Sequence, residues 1–125
     1  MSPEQFYIDY LTDELTPPPV NGVAQPGVPV SGSVPHPMPA EFVTVELTGS
    51  RRTDLIDTVQ LVVLCWSSSR AAACALYEQV NAAMLASISS PEISRCAVET
   101  GYNDTDTQTN RPRYHARYEV VYLGG

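Results

Sequence analysis

The first residues of the chain carry apolar side chains at spacings of three and four, which is the pattern of one helical face. These side chains are Phe6, Tyr7, Tyr10, Leu11 and Leu15. Ser2 offers a hydroxyl cap, Pro3 suits a first turn, and the prolines at 17–19 cannot continue a helix. The pattern therefore predicts a helix over Pro3–Glu14.

Residues 16–40 contain no charged side chain and hold eight of the eleven prolines, with valines and glycines between them. Such a segment predicts an extended arm, neither a helix nor a central strand. Two interpretations stay open here. The arm is a flexible linker, or it lies against a protein surface, its own or that of a neighbour.

The compact part of the chain begins with two predicted strands. Residues 42–47 alternate, with Val43, Val45 and Leu47 on one face, and residues 49–54 read as a polar loop. The second strand covers residues 58–66. Its stretch 62–65 is apolar on both faces, which indicates a central position in a sheet covered on both sides.

A long helix is predicted next, from a serine cap within 67–69 to about Ser89, with a length of about 30 Å. Pro91 marks its end. Its apolar face recurs at four-residue steps through Ala72, Leu76, Val80, Met84 and Ile88.

Two more strands, 93–100 and 113–123, are predicted on either side of a polar hairpin loop over 101–112. The expected fold is α+β: an antiparallel sheet of about four strands with the long helix packed on one face. The length fits a single domain. Within it we expect an N-terminal helix in 1–15, the proline-rich arm in 16–40 and the α+β core in 41–125. In the last strand one face carries Tyr114, Ala116, Tyr118, Val120 and Tyr122.

Charge excludes several functions. The formal net charge is −7, and all seven cationic residues are arginine, because the chain has no lysine. Schiff-base chemistry and a phosphate-loop lysine are thereby excluded. Binding to nucleic acid or to an acidic membrane surface is disfavoured, because both need a cationic surface.

The cysteines indicate a reducing compartment. Cys65, Cys74 and Cys96 form no CxxC pair, and their odd number leaves one unpaired. The acidic start of the chain does not resemble a signal peptide, and the longest apolar stretch, 59–66, is too short to cross a bilayer. Synthesis in the cytoplasm with free thiols is the simplest interpretation.

Candidate enzyme chemistry is sparse. His115 beside Cys65 or Cys96 could form a nucleophilic pair on neighbouring strands, although small apolar cysteines and a surface histidine are the more ordinary interpretation. Glu46 and Glu99 could face each other across a sheet as an acid–base pair, but carboxylates on open strands are usually solvated. We therefore expect no enzyme.

No cofactor or metal is expected either. The scattered cysteines and His115 lack the paired spacing of a zinc site. Asp104 and Asp106 resemble the first half of a calcium loop, but the expected glycine and closing glutamate are missing, so a solvated hairpin tip is favoured.

Arginines and acids cluster in the two predicted hairpin loops. Arginine suits ion pairs between subunits, because its planar guanidinium binds a carboxylate bidentately. Solvated loop charge is the alternative. The candidate interface residues are Arg51, Arg52, Asp54, Asp104, Asp106, Arg111 and Arg113.

Four segments resemble one family in order and spacing. Residues 42–50, FVTVELTGS, resemble the opening "F-V-x-V-E-x-T-G-S/G" found in small proteins of long-tailed phages and prophages. CWSSS at 65–69 resembles the family's aromatic-Ala/Ser-x-Ser turn, and the helical stretch 71–80 is similar to its "x-A-A-x-L-x-x-x-V". YNDTDT at 102–107, followed by RYHA at 113–116, resembles its "Y-N-x-T-D-T…x-R-Y-x-A" ending.

The family is that of the tail terminator, also called the tail completion or head–tail joining protein. The resemblance implies a virion structural protein that forms a ring, typically hexameric, at the head–tail junction. This ring caps the tail tube and docks to the neck of the head, and DNA only passes through its lumen. The implied partners are other copies of the chain, the tail tube protein and the neck connector. Another neck subunit, such as a stopper or head-completion protein, is the alternative within this class, and a small cytoplasmic ligand-binding domain is the alternative outside it.

Overall fold

The computed structural model describes residues 2–54 and 56–123, which form two α-helices, a short 3-10 helix and five strands. In chain order these are α1 (Pro3–Glu14), β1 (Val30–Ser31), β2 (Phe42–Thr53), β3 (Ile56–Trp66), α2 (Arg70–Ala86), the 3-10 helix (Ser87–Ser89), β4 (Ile93–Asn103) and β5 (Arg113–Tyr122). The predicted α+β class is therefore confirmed.

The sheet has five strands in the order β1-β2-β3-β5-β4 and is mixed, so the prediction of about four antiparallel strands is wrong. The additional strand lies in the proline-rich arm, where Val30 and Ser31 pair in parallel with Val43 and Thr44. All other pairings are antiparallel. The arm pairs at the sheet edge, where a strand only two residues long, with Pro29 immediately before it, is tolerated.

One side of the sheet, which we call the helix face, carries both α-helices and the core. Along each strand, the residues that face the core alternate with residues that face the opposite side. The buried strand residues on the helix face are Val43, Val45, Val59, Leu61, Val63, Cys65, Ala116, Tyr118, Val120 and Tyr122. Helix α1 adds Tyr7 and Leu11, both fully buried. The predicted central position of the second strand is confirmed, because β3 is the third of five strands.

Helix α1 begins and ends as its sequence predicts. The Ser2 hydroxyl accepts a hydrogen bond from the Gln5 amide at 3.1 Å, and Pro3 occupies the first turn. The Glu4 carboxylate accepts a hydrogen bond from the Leu47 amide of β2 at 2.8 Å. This contact ties the start of the helix to the sheet.

Helix α2 is shorter than predicted. It spans 17 residues, about 25 Å, and continues only as the 3-10 helix. Ser87 is fully buried at this point, and its hydroxyl donates to the Met84 carbonyl at 2.6 Å and contacts the Tyr7 hydroxyl at 2.8 Å. Because the helix type changes here, the Ile88 side chain turns outward and is 56% exposed. The prediction that Ile88 lies on the apolar face of the helix is therefore wrong.

Both hairpins contain more strand than predicted. The expected loop over 49–54 is mostly strand, because β2 pairs with β3 as far as Thr53 opposite Ile56, after a register shift between Leu47 and Gly49. Asp54 turns the chain with a positive φ of 51°. Strand β4 continues to Asn103, so the second loop begins only at residue 104.

The other side of the sheet, which we call the arm face, is partly covered by the proline-rich arm. Residues 32–34 line a groove with Thr44, Val62 and Leu64. Of these, Thr44 and Val62 are buried although no helix covers them. The second half of the arm, around residues 30–34, therefore packs along its own chain, whereas residues 16–24 are exposed.

Candidate functional site

Five of the charged or titratable side chains in and beside the loop that joins β4 to β5, at the base of that loop, contact one another or the arm. We call this group the hairpin-base cluster: Asp104, Asp106, Arg111, Arg113 and His115. It lies on the arm face beside the rings of Phe42 and Trp66. Four of its members are among the predicted interface residues.

Arg113 is the centre of the cluster. Its guanidinium lies 3.2 Å from the Asp104 carboxylate and 3.6 Å from that of Asp106. Its Nε donates to the Asp104 carbonyl at 2.8 Å, and its guanidinium carbon lies 4.9 Å from the centre of the Trp66 ring. The charge is thus neutralised and stacked within one chain.

Arg111 holds the end of the arm to the sheet. One of its terminal nitrogens donates to the carbonyls of Pro39 and Ala40, at 2.9 and 2.8 Å. The guanidinium carbon lies 5.9 Å from the centre of the Phe42 ring, which stacks on Trp66 at 5.1 Å. Two arginines and two rings therefore anchor the arm where the compact part of the chain begins.

Asp106 orders the loop that closes this hairpin. Its carboxylate accepts hydrogen bonds from the Thr109 hydroxyl and from the Thr109 amide, the latter at 3.1 Å. Chiefly because of the hydroxyl bond, and with a contribution from the Arg113 charge, the pKa of Asp106 lies below its ordinary value. The Asp106 carboxylate thus contributes to the order of this loop through its two bonds to Thr109.

The replacement Thr109→Val should reduce the acid sensitivity of the protein. A carboxyl group whose pKa is lowered in the folded state stabilises the fold above its unfolded pKa, near 3.8, and this stabilisation is lost as the pH falls through the folded pKa. We expect the difference in unfolding free energy between wild type and Thr109→Val to shrink from pH 7 to about pH 2.5. Urea titrations at both pH values measure it, with the exposed Thr107→Val as control. A difference that does not change with pH would contradict this role of Asp106.

His115 does not meet a cysteine. Its Nδ1 lies 3.3 Å from the Asp104 carboxylate and its ring stacks on Tyr102 at 4.9 Å, on the arm face. Cys65 pairs with Tyr114, the residue before His115, and points into the core on the helix face. The possible pair of His115 with Cys65, which the sequence analysis did not favour, therefore does not form, because alternation along the strands sends the two side chains to opposite faces.

The second possible pair fails for the same reason. Cys96 lies opposite Val120 and packs against the core near Ser87 and Tyr7. Burial raises the pKa of both the Cys65 and the Cys96 thiols, which opposes formation of a nucleophilic thiolate. Among the described residues, no group of three or more His, Cys, Asp or Glu side chains is arranged to hold a metal ion.

The possible acid–base pair of Glu46 and Glu99, which the sequence analysis did not favour, does not form either. Glu46 lies on β2 and Glu99 on β4, and β3 and β5 separate these two strands. Both carboxylates are exposed. They cannot face each other across neighbouring strands.

The remaining predicted interface residues lie at the tip of the β2–β3 hairpin. Arg51 and Asp54 are exposed, and Arg52, whose side chain is 53% exposed, makes a 3.5 Å ion pair with Asp57. The structure thus separates the predicted residues into two groups, the exposed hairpin tip and the hairpin-base cluster. That they lie between subunits stays a prediction.

The sequence analysis missed the rings that accompany the arginines. Phe42 and Trp66 are out of phase with the core-facing residues of their strands, and this is a usable signal, because a large aromatic side chain on the polar face needs a cover. No comparable pattern in the sequence indicated that Thr109 donates hydrogen bonds to the Asp106 carboxylate.

Comparison of the chain with known proteins does not assign it to a family. No protein-family model matches the chain, and no curated protein matches it significantly. Within residues 2–54 and 56–123, neither helix is long and apolar enough to cross a membrane.

Proposed function

We propose that this chain is a structural subunit of a phage virion, which assembles into a ring that terminates the tail tube and joins it to the head. The proposal begins from the four sequence segments that resemble the tail terminator family. These segments coincide with the start of β2, the turn from β3 into α2, the first half of α2 and the base of the β4–β5 hairpin. The resembling segments thus fall on α2 and on the four strands β2 to β5, but not on β1.

The observation that carries the proposal is the uncovered tip of the β2–β3 hairpin. Residues 50–54 are exposed on both sides of the ribbon, and they present two arginines and an aspartate. A two-stranded ribbon in water is only marginally stable by itself. A charged ribbon of this kind is well suited to contact a neighbouring subunit.

The overall charge supports the same role. A ring through which DNA passes must not hold the phosphate backbone, and a net charge of −7 with only seven cations disfavours retention of DNA. Three of these cations, Arg52, Arg111 and Arg113, make ion pairs or hydrogen bonds within the chain. We therefore expect a lumen that is not dominated by arginine.

Co-sedimentation with tail tubes of the same phage tests the proposed position. A terminator binds at tube ends, so the amount bound at saturation should rise in proportion to the number of ends when the same mass of tubes is sheared. Binding in proportion to tube mass would contradict termination. Binding to DNA-filled heads without binding to tubes would favour the stopper or head-completion alternative.

A further inference from the structure

A cavity of about 420 Å³ lies on the helix face, between α1 and the end of β5. It combines three carboxylates with three aromatic rings, and none of the described arginines lines it. The seven lining residues are those of α1 (Phe6, Asp9, Tyr10, Asp13), those of the turn after α2 (Ser90, Glu92) and Tyr122 of β5.

The walls of this cavity favour a cation. The Phe6 ring stacks on Tyr10 at 6.1 Å and lies 5.9 Å from Tyr122. Burial raises the pKa of the Tyr122 phenol, and the nearby charges of Glu92 and Asp57 raise it further, as expected at negative potential. A guanidinium suits such a site, because it binds carboxylates bidentately and stacks on aromatic rings.

The tip of the β2–β3 hairpin presents a guanidinium, that of Arg51, on the other face of the sheet. Arg51 pairs with Thr58, out of phase with the core residue Val59, so it lies on the arm face. The cavity lies on the helix face at the same end of the sheet, because Tyr122 pairs with Asp57 at the base of the tip. Arg51 and the cavity therefore lie on opposite faces of one chain.

We propose that the cavity receives the Arg51 guanidinium from the hairpin tip of a second copy of this chain. This inference rests on the proposed ring. Two different patches on opposite faces form a heterologous, head-to-tail contact, which is the kind that closes into rings. Asp13 contributes an exposed carboxylate at the C-terminal end of α1, and Tyr10 and Phe6 contribute the ring faces.

Charge exchange tests the contact. Arg51→Glu should weaken self-association at least about 30-fold, measured by sedimentation velocity over a concentration series, alone and with tail tubes. Asp13→Arg should do the same, and the double variant should self-associate more tightly than either single variant, because the pair is restored with reversed sign. The recovery should be partial, because Asp9 and Glu92 still repel the introduced carboxylate. Arg70→Glu is the matched control: Arg70 is exposed at the start of α2, near the opposite end of the sheet.

The outcomes separate this contact from the proposed function. If wild type caps tubes and Arg51→Glu caps them equally well, the contact is wrong and the role stands. If wild type self-associates through Arg51 and Asp13 but ignores tubes and heads, the contact stands and the role is wrong. A wild-type protein that stays monomeric both alone and with tail tubes overturns the contact and the proposed function. A double variant without recovery overturns the contact.

Discussion

Leu11→Ala should lower the free energy of unfolding by about 3 kcal/mol. Leu11 is fully buried where α1 packs against the core of the sheet. Removing its branched side chain leaves a cavity there, in addition to the lost transfer free energy. Because α1 also carries Tyr7 in the same core, the loss should reach the whole fold and not only the N-terminal helix.

Leu85→Ala is the matched control, since the same atoms are removed from a helix position that is 39% exposed. It should cost at most about 1 kcal/mol. Equilibrium urea unfolding followed by circular dichroism measures both variants. Equal losses for the two variants would show that α1 does not belong to the cooperative core.

Arg113→Ala should lower the free energy of unfolding by about 2 kcal/mol. The variant loses two charge pairs, a bond to the Asp104 carbonyl and the stack on Trp66, all made by a side chain that is only 20% exposed. It also leaves two carboxylates of the same loop without their cation, and the cost of that repulsion adds to the lost contacts.

Arg117→Ala provides the comparison, because Arg117 lies on the same strand and is exposed, so its loss should cost no more than about 0.5 kcal/mol. Arg113→Lys should fall between the two, since an ammonium keeps the charge but not the planar stack. Urea unfolding of the three variants at one ionic strength gives the order. Equal stability of Arg113→Ala and Arg117→Ala would contradict the central place of Arg113.

The sequence was sufficient to predict an element where the pattern that indicates it lies within the element's own residues. Helix α1 spans Pro3–Glu14 as predicted, because its cap, its first-turn proline and its apolar spacing all lie within the element. The apolar stretch of β3 likewise indicated a central strand. In each case the signal lies within the element itself: the helical spacing of apolar residues in α1, and the continuous apolar stretch of β3.

Long-range pairing explains what the sequence did not show. Residues 50–53 are exposed on both faces, so they carry no alternation that would distinguish a strand from a loop, and only their register with β3 orders them. Strand β1 has two residues beside a proline and depends on the edge of β2. Neither pairing leaves a local pattern.

The candidate site shows the same limit. That the charges of residues 104–113 lie between subunits stays a prediction. The sequence did not show that the turn at Asp106 and Thr109 also brings Arg113 back to the acids of its own hairpin. The separation of Cys65 from His115 depends on whether residue 65 pairs with residue 114 or 115. A shift of one residue would change the face, and the stretch 62–65 of β3, which is apolar on both sides, does not by itself show which face Cys65 takes.

Negative-stain imaging of the purified protein, alone and mixed with assembled tail tubes of the same phage, tests the central claim most directly. The account predicts rings, or density that caps one end of each tube. Arg51→Glu imaged in parallel should leave the tube ends bare. A protein that remains monomeric and leaves every tube end bare at saturating concentration would contradict the assignment to the tail terminus.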